Sequence, residues 1–305
     1  MESRRWLRQG WRWARWPLVT AIGPVAFGTA YFVTHEYLPV DAPLWGSAIR
    51  ALPAGLLLLL IARRLPVGAW WWRSLVLGTL NMGAFFFLVY VAAQLLPSSV
   101  AASVMSVSPF AIAACAWLLL HERPTSQVVV GALVGAAGVL LIVGTAQGEL
   151  DEWGIAASLA SMVLSSIGAI LTRRWRDDTP VLTVTAWQLV VGGIELVVAA
   201  LVVEGAPPSV TPVEVGAFVY VSLGATAVGF VCWFTGFRHL PAGVVGVIGL
   251  LNPLTGVALG TALGGEALTR LQAVGVCLVI GSIAVVNLRP QRTGRVPAQG
   301  SLRER

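Results

Sequence analysis

The chain has 305 residues, of which 57% are hydrophobic and 11% are charged, whereas a soluble globular protein carries about 25% charged residues. No soluble core can hide this much apolar surface, so the composition predicts a protein that is solvated by lipid. The formal net charge is +6, but the basic residues lie between apolar runs instead of forming one face. This arrangement argues against a nucleic-acid partner.

Residues 1–17 interleave arginines with tryptophans ahead of the first apolar run. Arginine and tryptophan at this place are typical of an interfacial anchor on the cytoplasmic side of a membrane. The alternative is a cleaved signal peptide, which the length of the following run and the nine further runs argue against. We therefore predict a cytoplasmic N-terminal segment over residues 1–17.

Apolar runs of about 20 residues are long enough to span a bilayer as helices, and the chain contains ten of them with short connections. They are residues 18–38, 43–62, 73–94, 97–119, 126–145, 153–173, 182–203, 213–237, 241–263 and 270–288. We predict an all-α integral membrane protein of ten transmembrane helices, followed by a basic polar tail over residues 289–305.

The arginines predict the orientation of these helices. If the N-terminus is cytoplasmic, eighteen of the twenty arginines fall in cytoplasmic segments, and the exceptions are Arg50 inside the second run and Arg270 in an external loop. The external loops carry acidic residues instead. By the positive-inside rule both termini are cytoplasmic, in a multi-pass protein of the cell's inner membrane.

The second half of the chain repeats the first. The segment at residues 96–143 is repeated in residues 240–286 at a constant offset of 144, which pairs residue 142 with residue 286, and the matched pairs include Pro97/Pro241, Pro109/Pro253, Glu122/Glu266 and Thr125/Thr269. With five spans in each half, the repeats at residues 18–145 and 153–288 must enter the membrane from opposite sides. Inverted repeats are the architecture of secondary transporters, whose site lies near the midplane.

Weaker echoes of the repeat lie outside that segment. Arg50, with Gly55 five residues later, matches Gln188 with Gly193 at an offset of 138, and Phe86 matches Phe230 at an offset of 144. These matches extend the duplication to the second and third spans of each half.

Each half closes with an apolar span, a hinge glutamate and a glycine-rich span. The two endings read HERPTSQVVVGALVGAAG at residues 121–138 and GEALTRLQAVGVCLVIGS at residues 265–282. This pattern resembles the EamA-type ten-span members of the drug/metabolite transporter superfamily over residues 18–288, as do residues 47–59 and 185–197. The second hinge departs from it because no basic residue follows Glu266 directly.

The resemblance implies export or exchange of small metabolites, often amino acids, without ATP hydrolysis. It also implies a central cavity lined by the first, third, fourth, sixth, eighth and ninth spans. Proton coupling or the substrate's own gradient would drive transport, and the small number of acids within the spans favours the gradient or exchange.

Four residues are candidates for a gate or for coupling. Arg50 lies inside a span, where a charge costs at least about 2.5 kcal/mol, and it would serve as a gate, as a substrate contact or as a structural cap. Glu195 is the acid well inside a span, so it would carry protons, pair with Arg50 or remain neutral. Pro109 and Pro253 would kink the fourth and ninth spans and free backbone carbonyls toward the cavity, or act as static kinks.

Polar and aromatic side chains at midplane depth are candidates for the cavity wall. Each could instead serve helix packing. They are Tyr31, Asn81, Phe85, Ser106, Phe230, Trp233 and Asn252. An aromatic wall suits apolar or aromatic amino acids, or amphipathic cations.

We predict a secondary transporter that exports or exchanges amino acids by alternating access, with a small-molecule substrate and the bilayer as partners. It has no enzymatic activity and needs no cofactor or metal. The alternatives are proton-coupled efflux of a drug or another metabolite, a polyprenyl-phosphate or lipid translocase, and a membrane enzyme. Glycines of the fifth and tenth spans would pack within the chain or between copies as a homo-oligomer. They are Gly131, Gly135, Gly138, Gly275 and Gly281.

Overall fold

The computed structural model describes residues 2–38, 42–96, 108–143, 151–263 and 270–288. Within these ranges the chain forms thirteen α-helices and two π-helical segments, and no strand. The elements are α1 (Glu2–Tyr37), α2 (Pro43–Ala62), α3 (Trp70–Gly78), π1 (Thr79–Gly83), α4 (Ala84–Leu95), α5 (Ser108–Leu120), α6 (Ser126–Val143), α7 (Glu152–Arg174), α8 (Val181–Val203), α9 (Pro212–Val219), π2 (Tyr220–Val228), α10 (Gly229–His239), α11 (Ala242–Ile248), α12 (Leu251–Leu263) and α13 (Arg270–Leu288).

The all-α membrane class is confirmed. Each of the ten predicted runs contains helix, and six helices are long and apolar enough to cross a membrane. The six are Arg15–Thr34, Pro43–Ala62, Trp70–Ala92, Glu152–Arg174, Val181–Val203 and Pro212–His239, and four shorter apolar helices accompany them. Residues 97–107, the first part of the predicted fourth run, lie outside the described residues.

The first, third and eighth predicted runs differ in detail from the helices observed. Helix α1 continues from Glu2 through Pro17 and Pro24, so the predicted N-terminal segment is helical and continuous with the first span. The third and eighth runs each contain a π-helical segment, which the apolar pattern does not predict.

The ninth run is interrupted between α11 and α12. Pro253 has no N–H, so it cannot donate to the carbonyl of Gly249 four residues earlier. That carbonyl accepts a hydrogen bond from the Asn252 N–H at 3.0 Å instead. The interruption leaves irregular backbone around Gly249 in the interior of the bundle.

Helices α2 and α8 cross where each carries a glycine. A Cβ built on Gly55 would lie 2.6 Å from the backbone nitrogen of Val190, and one built on Gly193 would lie 2.8 Å from the Cα of Leu52. Because the two backbones approach this closely, only glycine fits at either position.

The ends of the same two helices are joined by tryptophans. The indole N–H of Trp45 donates to the carbonyl of Gly205 at 3.1 Å, and that of Trp187 donates to the carbonyl of Arg64 at 2.8 Å. The start of each helix therefore lies beside the end of the other, and α2 and α8 are antiparallel.

Helices α6 and α13 also pack antiparallel through glycines. A Cβ on Gly138 would lie 2.8 Å from the carbonyl oxygen of Gly275, and a Cβ on Gly131 would collide with Val286. Gly281 is exposed, with nothing within 4 Å of its built Cβ. Most of these glycines thus pack against helices of the same chain, and the homo-oligomer stays a prediction.

Candidate substrate cavity

One cavity lies at the centre of the bundle, and about 1100 Å³ of space in and around it is free of protein atoms, open solvent included. Helices from both halves of the chain line it. The lining residues are Pro24, Phe27, Ala30 and Thr34 of α1, Ser47 and Arg50 of α2, Asn81 of π1, Phe85, Phe86, Val89 and Tyr90 of α4, Ser108 and Ile112 of α5, Ser165 of α7, Phe230, Trp233 and Phe234 of α10, Gly249, and Asn252 and Pro253 of α12.

Most of the candidate residues meet at this cavity. Seven of the eleven lie in its wall, namely Arg50, Asn81, Phe85, Phe230, Trp233, Asn252 and Pro253. Pro109 is buried next to the wall residue Ser108 and packs against Gly246 of α11, where a built Cβ would lie 3.1 Å from the proline Cα. Tyr31 lies in α1 but its side chain is outside the described part, and Ser106 lies outside the described residues altogether.

Glu195 does not belong to the cavity wall. Its carboxylate accepts a hydrogen bond of 2.7 Å from the hydroxyl of Thr79, at the contact between α8 and π1. A Cβ on Gly83 would lie 2.5 Å from the same carboxylate, so the helices are close here. Glu195 therefore bonds Thr79, and within the described ranges no ion pair between Glu195 and Arg50 is observed.

Arg50 is held from two sides. Its Nε donates to the hydroxyl of Thr226 at 2.8 Å, and its guanidinium carbon lies 4.3 Å from the centroid of the Phe86 ring. A cation over an aromatic face is favourable, and more so where water is excluded. These contacts place a positive charge in the cavity wall.

An aromatic wall faces this charge. The ring of Phe230 lies 4.7 Å from Phe27, 5.6 Å from Phe86 and 5.8 Å from Phe234, measured between centroids. Trp233 meets Phe27 edge-on at 6.3 Å. Phe86 and Phe230, matched residues of the sequence repeat, thus touch each other at the centre of the bundle.

Asn81 is fixed by two neighbouring helices, α8 and α7. Its side-chain nitrogen donates to the amide oxygen of Gln188 at 2.7 Å and to the hydroxyl of Thr172 at 3.3 Å. Its amide oxygen packs against Gly168, whose hydrogen leaves room for it. Ser47, in the cavity wall, is 1% exposed, and its hydroxyl has no hydrogen-bond partner among the described residues.

The end of the bundle that is predicted to be cytoplasmic is joined by an ion pair. Arg173 of α7 contacts Glu122 at 2.6 Å and donates to the carbonyl of Leu240 at 2.9 Å. The hydroxyl of Thr125 accepts from the N–H of Val128 at 3.4 Å and caps α6. The ends of α5, α7 and α10 are therefore connected below the cavity.

Thirteen of the twenty wall residues were absent from the candidates, among them Phe27, Thr34 and Ser47. Phe27 and Thr34 share a face of α1 with other wall residues, at a spacing of three to four that a helical projection of the first run would reveal. Ser47 lies one turn before Arg50 on α2, so the position of the charge could have indicated it.

The fold and the cavity together define the class: a polytopic helical membrane protein whose two halves enclose one central cavity. The family model for EamA-like transporters matches the chain twice, over residues 14–144 and 152–288, so the chain belongs to the EamA-like transporter family. This family fits the drug/metabolite transporter superfamily, and the protein is a membrane transporter.

Curated relatives span most of the chain. Protein PecM of Dickeya dadantii is 34% identical over 266 residues, covering 86% of this chain and 89% of PecM. The uncharacterized inner membrane transporter YedA of Escherichia coli K12 is 24% identical, covering 87% of this chain and 88% of its own. A probable amino-acid metabolite efflux pump of Salmonella typhimurium is 24% identical and covers 73% of this chain and 80% of its own.

A solved crystal structure has a similar fold. It aligns with a TM-score of 0.75 at 23% sequence identity, covering 90% of this chain and 97% of that one. The likeness extends over nearly the whole bundle, so the helix arrangement described here is shared with a known fold.

Proposed function

We propose that the protein is a secondary transporter that exports or exchanges amino acids, with apolar or aromatic ones favoured, by alternating access. The observation that carries this proposal is one guanidinium, Arg50, set against an aromatic wall in a cavity that both halves line. A guanidinium pairs with a carboxylate, and an aromatic wall accepts an apolar side chain. The Salmonella relative, named as a probable amino-acid metabolite efflux pump, supports the same substrate class.

The proposed architecture is ten transmembrane helices in two inverted five-helix repeats, over residues 18–145 and 153–288. Three observations support it: the family model matches twice, α2 and α8 are antiparallel, and α6 and α13 are antiparallel. Inverted repeats require antiparallel partners at equivalent positions. Residues 1–17 and 289–305 would flank the repeats as cytoplasmic segments.

The proposed location is the cell's inner membrane, with both termini cytoplasmic. The distribution of arginines supports this orientation, and a relative named as an inner membrane transporter supports the location. In this orientation the ion pair between Arg173 and Glu122 lies at the cytoplasmic end, where it would help to keep that end closed. The structure would then represent a state that opens outward.

Counterflow in proteoliposomes tests the function. The purified protein would be reconstituted, loaded with unlabelled solute and offered a panel of labelled amino acids, amines and sugars, with and without a pH gradient. We expect saturable exchange of apolar or aromatic amino acids without a pH gradient. Exchange of amines alone would replace the amino-acid proposal with cation efflux, and exchange of no soluble solute would favour a lipid substrate.

A further inference from the structure

Two polar pairs join equivalent spans of the two halves of the bundle. Arg50 of α2 bonds Thr226 of π2, and Gln188 of α8 bonds Asn81 of π1. Arg50 and Gln188 are matched residues of the sequence repeat. In both pairs, therefore, the second span of one half contacts the third span of the other half.

The π-helical segments recur in register as well. At the repeat offset of 144 residues, π1 falls on residues 223–227, inside π2. A π-helical turn within an α-helix is rare and is frequently found at functional sites. Here the two turns carry Asn81 and Thr226, the residues that hydrogen-bond to Gln188 and Arg50 of the second spans.

The buried amide of Gln188 lowers the stability of the folded protein. It is fully buried at 0% exposure, and its Nε2 has no hydrogen-bond partner among the described residues. A buried unsatisfied donor lowers stability, and an apolar side chain of the same shape would remove that penalty. Packing alone gives no reason for an amide here, but the bond to Asn81 does.

We propose that Thr226 and Gln188 are positioning residues, which hold Arg50 and Asn81 in the orientation that binds the substrate. This inference rests on the proposed function. Arginine is a side chain with many rotamers, and ordering it upon binding would weaken affinity. Thr226 fixes the guanidinium from one side while the ring of Phe86 lies against it, so the guanidinium is already ordered before the substrate binds. Gln188 does the same for the Asn81 amide.

If Thr226 and Gln188 are positioning residues, replacing either of them should change KM more than it changes Vmax. In Thr226→Val and in Gln188→Met, which keep side-chain volume but remove the hydrogen bond, we expect KM for the amino acid carried by the wild type to rise about fivefold, the effect of one hydrogen bond. Thr226→Ser keeps the hydroxyl and should restore KM. Thr185→Val is the matched control, because Thr185 is also fully buried but bonds only within its own helix and lies outside the cavity wall.

Combined variants and thermal stability separate positioning from structure. If Thr226 acts through Arg50, adding Thr226→Val to Arg50→Gln should raise KM no further. Gln188→Met should melt at the same temperature as the wild type or higher, despite its weaker binding. Unchanged KM in both single variants, or a lower melting temperature with unchanged KM, would overturn the proposal. A wild-type protein that exchanges no amino acid would instead reject the proposed function, and with it this role.

Discussion

Arg50 is the residue on which the proposed recognition of the substrate depends most. An arginine inside a membrane helix is expensive, and this one is stabilised by a hydroxyl of the opposite half and by the face of Phe86. The hydrogen bond depends on Nε, which lysine lacks, and the guanidinium can reach the hydroxyl and the ring at the same time. The side chain is therefore fitted to one place in the cavity wall.

Replacing Arg50 should weaken binding strongly. In Arg50→Gln we expect KM for the transported amino acid to rise about tenfold or more, the effect of a charged hydrogen bond. Arg50→Lys keeps the charge but loses the Nε donor and the stacked plane, so it should rescue only part of the loss. Kinetics of counterflow measure both, and full transport in Arg50→Gln would contradict a substrate or gate role.

Glu195 should be dispensable for transport. It lies outside the cavity wall and accepts a hydrogen bond from Thr79, an interaction that the amide oxygen of Glu195→Gln can also accept. We expect the variant to transport at the wild-type rate, with and without a pH gradient. If the wild type needs a pH gradient and Glu195→Gln abolishes that need, the carboxylate carries protons after all.

At the scale of elements, the interruption between α11 and α12 shapes one corner of the cavity. Gly249, Asn252 and Pro253 all lie in the wall there, and Gly28 of α1 approaches so closely that a built Cβ would lie 2.5 Å from the Asn252 carbonyl oxygen. Small changes in the backbone at this point therefore alter both the wall and its contact with α1.

Pro253→Ala should impair transport. Alanine supplies the missing N–H, which lets α11 and α12 join into one helix and moves the wall residues. We expect transport to fall by on the order of tenfold, as changes at hinge positions affect rate and affinity together. Pro53→Ala is the matched control, since Pro53 lies inside α2 with an exposed side chain and outside the cavity wall. Equal transport by both variants would mean that the proline is a static kink.

The crossing of α2 and α8 should be intolerant of a single methyl group. In Gly193→Ala the new Cβ would meet the backbone of Leu52 at 2.8 Å, and overpacking of this kind costs about 1–3 kcal/mol. We expect a clearly lower melting temperature for the purified protein. Gly216→Ala in α9, where a built Cβ meets nothing within 4 Å, should melt like the wild type. Similar melting of the two variants would show that the crossing can relax.

In the molecule as a whole, helices of one half make contacts with the other half that resemble each other at the two ends of the bundle. Trp45 and Trp187 join opposite ends of the α2–α8 pair in the same manner, and Phe86 meets Phe230 at the centre. The proposed alternating-access mechanism would move one half against the other, as in transporters built from inverted repeats.

The orientation of the molecule can be checked with reporter fusions. We expect alkaline phosphatase inserted after Gly205 to be active, since the loop between α8 and α9 should be external. A fluorescent protein fused after Arg305 should fluoresce, since the C-terminus should be cytoplasmic. The opposite pattern would reverse the assigned direction of the ion pair between Arg173 and Glu122, and the cavity would then open inward.

The membrane class, most of the helices and the family could be predicted from composition, run length and the internal repeat. Apolar runs of span length can satisfy their backbone groups in lipid only as helices or closed barrels, so composition and run length predict helices directly. The repeat and its two glycine-rich endings indicated the EamA-like family, which the family match confirms. Each of these properties follows from a pattern along the chain, so it can be recognised without the structure.

Which polar groups meet depends on how the helices pack. The pairing of Glu195 with Thr79 and the contacts of Arg50 and Gln188 with the opposite half join residues distant in sequence. The π-helical turns are local, but the apolar pattern does not distinguish them from α-helix. Within an apolar span, the sequence shows that a polar group needs a partner but not which one, because the partner depends on the rotation and depth of another helix. Packing of the whole bundle sets that rotation and depth, so the cavity wall is a property of the folded chain.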